Sequence, residues 1–122
     1  MSLTATTVMP FVPCDDFALC CRFYADLGFE KGHDDGRIAI FSCGAAAFIL
    51  QNYKWPGARE NYMLQLAVDD VDAWWRGIEA ADLAKRYGVR AKPPKKEPWG
   101  ARVAYLDDPT GVLWHISQRT AI

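Results

Sequence analysis

The stretch Asp15–Arg22, DDFALCCR, returns in the second half of the chain as Asp69–Arg76, DDVDAWWR. Both copies open on an acidic pair, run through apolar residues and close on arginine. The match extends past the identities. Phe17, Cys20, Cys21 and Tyr24 recur as Val71, Trp74, Trp75 and Ile78, which is the i, i+3, i+4, i+7 stripe of a helix buried along one side. In each copy the aspartates stand where a helix start wants a side-chain acceptor and negative charge. The chain therefore reads as a tandem repeat with one main helix per unit.

Working outward, a strand-like run precedes each helix, Val8 to Pro13 and Tyr62 to Val68. Three runs follow the first helix: Phe29 to His33, Arg37 to Cys43 and Ala46 to Tyr53, separated by the turn signals Asp35-Gly36 and Gly44. The second helix is expected to stop near Tyr87-Gly88, followed by Val89 to Lys92, Arg102 to Leu106 and Val112 to Gln118. Each unit is βαβββ, and the class is α+β. A four-stranded sheet with one helix covers a single face, so two such units, from one chain or two, are expected to close into a curved, barrel-like mixed sheet around a cleft. The domain is single, residues 1–122, with module one at about 5–54 and module two at about 60–120. The linker Lys54–Glu60, KWPGARE, is short, so exchange of modules between two chains costs little and a homodimer is expected.

Bulk composition narrows the function. At 122 residues one domain can bury a core without covalent staples. The formal net charge of −1 argues against a dedicated nucleic-acid binder, which needs a basic stripe to displace counterions. No window reaches the ~18 apolar residues of a membrane span, and the N-terminus lacks the pattern of a signal peptide. A cytoplasmic protein, with neither nucleic acid nor membrane as partner, is the expectation. Cys14, Cys20, Cys21 and Cys43 have no CxxC spacing, so neither disulfides nor a zinc knuckle is expected.

Three motifs add a resemblance. Phe23–Phe29 reads FYADLGF, Val68–Ala73 reads VDDVDA, and Pro98-Trp99-Gly100 is followed by Asp108-Pro109-Thr110-Gly111. In this order and across nearly the whole chain they resemble FYxxxLGF, VDDVDA and PWG…DPxG of the vicinal oxygen chelate superfamily. That superfamily includes glyoxalase I, extradiol dioxygenases, fosfomycin-resistance enzymes and bleomycin-resistance proteins. One scaffold carrying lyases, oxygenases, transferases and binders specifies a fold more firmly than a chemistry.

The resemblance implies a four-ligand divalent metal site, whose positions carry over to Met63, to Met9 as its repeat partner, to His115 after the DPTG turn, and to Ile49 or Gln51 in the first module. Two thioethers, one imidazole and an amide or alkyl group do not suit magnesium, manganese, iron or zinc. No metal and no other cofactor is expected, and this chain is closest to the metal-free, bleomycin-resistance-type members. No residue is assigned a catalytic role. Whether the chain is an enzyme stays open, with the missing donors leaning against; if it is one, the resemblance implies a lyase or dioxygenase.

If Val112 to Gln118 is a strand, alternation places Leu113, His115 and Ser117 on the cleft face and Val112, Trp114 and Ile116 against the helices. His115 is then expected as a wall group or ligand anchor ahead of a general base, because no second titratable partner can be placed beside it. Trp99 lies in a loop with no periodicity that makes it core. The resemblance implies that it borders a cleft and stacks on a flat ligand; packing under its own loop or on a partner chain is the alternative. Phe48, Tyr53, Trp55 and Tyr62 gather near the linker, where they could floor a pocket for a planar ligand. Met9, Met63 and Gln51 are further candidate wall residues. Arg102 could pair with an anionic ligand group or, more commonly, a surface carboxylate. Arg90, Lys92, Lys95 and Lys96 read as a solvated, proline-stiffened loop rather than an anion-steering one.

The leading functional expectation is a metal-independent small-molecule binder holding a flat, partly apolar, aromatic ligand, with antibiotic resistance as one role. Two others stand beside it: a glyoxalase- or dioxygenase-type metalloenzyme with an atypical site that includes His115, and an interaction or sensor domain.

Overall fold

A computed structural model describes residues 2–119. Its elements follow the repeat. The first module is β1 (Phe11–Pro13), α1 (Phe17–Leu27), β2 (Glu30–Asp34), β3 (Ile38–Cys43) and β4 (Ala46–Gln51). A one-turn helix, α2 (Ala58–Asn61), sits in the linker. The second module is β5 (Met63–Ala67), α3 (Val71–Ala80), α4 (Leu83–Tyr87), β6 (Ala91–Glu97), β7 (Ala101–Asp107) and β8 (Leu113–Arg119).

The two acidic pairs do the same job in each module. Asp16 accepts the Leu19 N–H and Asp70 the Ala73 N–H, each at 3.1 Å, so both main helices start on an aspartate cap. Helix α1 ends at Gly28, whose φ of +124° is open to glycine and costly for other residues. The second helical pattern does not run unbroken to Tyr87. Asp82, with φ of +53°, interrupts it, and α4 starts anew at Leu83.

Each module forms its own four-stranded mixed sheet, in the orders β1-β4-β3-β2 and β5-β8-β7-β6. In both, the first strand lies parallel to the last, and the other neighbours are antiparallel. The helix-bearing faces of the two sheets share one core: Val12, Phe41, Phe48 and Leu50 from the first sheet join Leu66, Leu106, Trp114 and Ile116 from the second. Burying a side chain of this size stabilises by roughly 1.5–3 kcal/mol each. The opposite faces stay open, and Phe11 at 54% and Met63 at 52% exposure mark them.

Two strand boundaries differ from expectation for one reason. Pro10 cannot donate to a ladder and delays β1 to Phe11, although its carbonyl still accepts from Ile49. The KPPKK stretch, expected as a loop, is the middle of β6. Proline is tolerated there because β6 is an edge strand, and Pro93-Pro94 lie where the β6–β7 register shifts.

Candidate functional site

Ladder pairing fixes which side chains share the open face of the second sheet. Met63 pairs with Leu113, Gln65 with His115 and Ala67 with Ser117. Across the other side of β8, Tyr105 pairs with His115 and Val103 with Ser117. Leu113, His115 and Ser117 therefore share one face, and Trp114 and Ile116 point into the core, as alternation predicts.

The same pairing resolves the fourth position of the metal constellation. Phe11 pairs with Ile49 in the first sheet just as Gln65 pairs with His115 in the second, so the counterpart of His115 is Ile49 and not Gln51. Met9, Ile49, Met63 and His115 offer two thioethers, an alkyl chain and one imidazole, a donor set that does not fit a hard divalent cation. Among the described residues no three of His, Cys, Asp and Glu gather as a metal cluster.

His115 lies edge-on to Tyr105, ring centroids 4.9 Å apart, and its Nε2 is buried with no hydrogen-bond partner. Tyr105 donates its hydroxyl to Glu97 over 2.6 Å. Burial first, and the Glu97 carboxylate second, push the Tyr105 phenol up to about 12, so it stays a proton donor at neutral pH. Beside this pair lies a recess of about 390 Å³, bordered by Tyr105, Leu113, Asp107 and Glu97 with Lys92, Pro93 and Lys95. Tyr105, Gln65 and Glu97 carry no local signal in the sequence: cross-strand register alone brings Tyr105 and Gln65 to His115, and Glu97 joins them through its hydrogen bond from Tyr105.

The remaining candidates are scattered. Trp99 is 59% exposed in the Pro98–Gly100 turn between β6 and β7, away from the recess lining. Tyr53 and Trp55 are exposed near the linker, and Trp55 packs edge-on to Tyr62 at 6.1 Å. The Tyr62 hydroxyl donates to the Phe11 carbonyl, tying the start of β5 to β1. Phe48 is a core residue, in ring contact with Tyr24, Phe41 and Trp114. It also borders a second recess of about 220 Å³ between the modules, with Phe29, Leu64 and Leu66. Met9 is half-buried just before β1, and Gln51 ends β4 on the open face of the first sheet, opposite Ile38. Arg102 takes the commoner of its two expected partners: on the helix side of β7, its guanidinium donates to Asp72 of α3 at 2.8 and 3.3 Å. This pairing removes it from the His115 face.

A family model described as the glyoxalase/bleomycin resistance protein/dioxygenase superfamily matches residues 5–116. The chain belongs to this superfamily. Solved structures agree with the fold. A bleomycin-binding protein complexed with bleomycin is 24% identical, with 92% of this chain and 97% of that one covered and a TM-score of 0.77. The bleomycin-binding protein of bleomycin-producing Streptomyces verticillus, complexed with copper(II)-bleomycin, is 23% identical over 99% of this chain and 100% of that one, with a TM-score of 0.78. TnmS3, an antibiotic-binding protein from Streptomyces sp. CB03234, is 28% identical over 98% and 100%, with a TM-score of 0.74. No curated protein sequence matches the chain. Among the described residues no helix of this superfamily member is long and apolar enough to cross a membrane.

Proposed function

We propose that this chain is a metal-independent small-molecule binding protein. It acts as a cytoplasmic homodimer, in which the open face of one protomer's second sheet meets the open face of its partner's first sheet around a flat, partly apolar ligand. The observation that carries this reading is the His115 face itself. It joins an unpartnered imidazole nitrogen, an edge-on tyrosine and the apolar Leu113 beside a recess of about 390 Å³, within the size range of small-molecule sites. The likeness to proteins described as binding bleomycin or an antibiotic supports a binder, and drug sequestration is one role that would follow.

In such a site the protein orients and shields rather than reacts. Tyr105 is held as a donor by Glu97, and Leu113 with Met63 excludes water from a planar ring. Exposed Trp99 stacks on the ligand or on the partner chain, since its own protomer leaves it largely uncovered.

A thermal-shift screen of planar aromatic compounds, combined with metal analysis of the purified protein, tests the reading. A true ligand at 100 times its dissociation constant stabilises by about 2.7 kcal/mol. Trp99→Ala is expected to weaken an aromatic ligand by about 1 kcal/mol if its indole stacks on the ligand and to leave affinity unchanged if it packs elsewhere, and His115→Ala to change affinity with metal content at zero in both proteins. Stoichiometric metal lost on His115→Ala would overturn the proposal in favour of a metalloenzyme.

A further inference from the structure

The recess is built with its acids at the back and its bases at the front. Asp107 and Glu97 border it, but their side chains are only 11% and 12% exposed, and both carboxylates are engaged. Arg90 Nε donates to Asp107 over 2.6 Å, and Glu97 accepts from Tyr105 and lies 3.6 Å from Lys95 Nζ. Their cationic partners reach outward: Arg90 is 84% exposed and Lys95 76%. Lys92 borders the same recess and has no carboxylate partner among the described residues. An incoming molecule therefore meets three cations before it meets either acid.

The placement of the two lysines depends on a specific backbone feature. Residues three apart on a regular strand point to opposite faces. Lys92 pairs with Tyr105 and Lys95 with Val103, however, and Tyr105 and Val103 share the open face. The extra residue at Pro93-Pro94 makes this possible, since the bulge inserts one position and returns Lys95 to the side of Lys92. Both prolines hold their φ fixed, so the two ammonium groups stand on a stiff rim.

We propose that the ligand of this face carries an anionic group, a carboxylate or an ionised hydroxyl on a planar apolar body, and that Lys92 with Lys95 selects it. The inference rests on the reading of this face as the binding cleft. The apolar body lies against Leu113 and Tyr105, and the anion lies at the lysine rim. A net charge of −1 for the whole chain does not oppose this, because selection follows the local field of the recess.

The test uses three probes with one ring system: naphthoate, naphthylmethanol and naphthylmethylammonium. Binding to the full chain is measured by calorimetry, with amide chemical shifts to locate it. Naphthoate is expected to bind about ten-fold tighter than the alcohol and tighter still than the ammonium, with the preference shrinking in high salt. Shifts are expected at Tyr105 and Leu113. In the paired variant Lys92→Met, Lys95→Met, naphthoate falls to within about two-fold of the alcohol, whereas the paired variant Lys92→Arg, Lys95→Arg keeps the preference. Equal affinity for the three probes, or a preference that survives the paired methionine variant, overturns the anion assignment and leaves a binding cleft standing. Failure of all three to bind, or shifts confined to other parts of the chain, overturns the cleft and the anion assignment together.

Discussion

Tyr24 donates its hydroxyl to Asp108 Oδ2 over 2.5 Å, joining helix α1 of the first module to the DPTG turn of the second across 84 residues of sequence. The same hydroxyl accepts from Trp114 Nε1 at 2.9 Å, and Asp108 Oδ1 takes the N–H groups of Thr110, Gly111 and Val112, each at 2.9 Å. Tyr24 and Asp108 are both buried, and burial is the main cause that raises each of them above its ordinary pKa. Tyr24→Phe keeps the ring but leaves the Asp108 oxygen and the Trp114 N–H short of a partner in a site closed to water. The expected cost is about 1–3 kcal/mol, read as a lower urea midpoint with an unchanged slope. A loss below ~0.5 kcal/mol would show that the hydroxyl is not the link between the modules.

Gly111 is required by that turn on two counts. Its φ is +103°, and a β-carbon there would lie 2.9 Å from Arg59 Cγ and 3.3 Å from Arg59 Cα in the linker helix. Gly111→Ala is therefore expected to cost about 1 kcal/mol in backbone strain, with a further cost in moving α2. Chemical denaturation gives the total. Restoring part of it with Arg59→Gly would assign that part to the close approach rather than to φ.

The elements most legible in the sequence were those specified locally. Asp16 and Asp70 cap their helices because the cap is written in neighbouring residues, and the stripe Phe17, Cys20, Tyr24 announces its buried side by spacing alone. The start of β6 was legible in the run from Val89 to Lys92, but its continuation to Glu97 was hidden because proline is ordinarily a strand breaker, and only the edge position and bulge make Pro93-Pro94 acceptable there. The cleft face was half legible. Alternation along β8 placed His115, whereas its neighbours Tyr105 and Gln65 come from other strands whose register no local pattern sets. Arg102 could have been assigned by the same alternation, since it shares the helix side with Ala104 and Leu106.

The hairpin between β2 and β3 carries a pH-dependent part of the stability. Asp35 Oδ1 accepts the N–H groups of Ile38 and Arg37, each at 2.9 Å, and His33 stands 3.4 Å from its other oxygen. The Ile38 and Arg37 N–H groups, with a smaller part from His33, lower its carboxyl from 3.8 to about 2. A carboxyl lowered by folding contributes stability that is fully present above its ordinary value and lost as pH falls toward its folded value. Asp35→Ala is thus expected to melt below the parent protein at pH 7, with the gap closing between about pH 4 and pH 2. A gap that stays constant over this range would mean that the ionised carboxylate does not hold the hairpin.

The proposed dimer places its clearest demand on Phe11 and Met63, which are more than half exposed on the open faces of the two sheets. Neither is needed by the protomer's own core, so a charge at either position has a solvated alternative as long as the chain is alone. In a dimer that seats one sheet's open face on the other's, the same charge must be stripped of water without a partner, which costs several kcal/mol. Phe11→Glu and Met63→Glu are each expected to leave the far-ultraviolet circular dichroism unchanged and to raise the dimer dissociation constant by about 100-fold or more. Light scattering on a sizing column reads the change. The ligand response of the thermal-shift screen should disappear with the dimer, because each cleft takes one wall from each chain. A parent protein that runs as a monomer at tens of micromolar, or glutamate variants that remain dimeric, would rule out this arrangement; ligand binding by a persistent monomer would then move the site to the His115 face of a single chain.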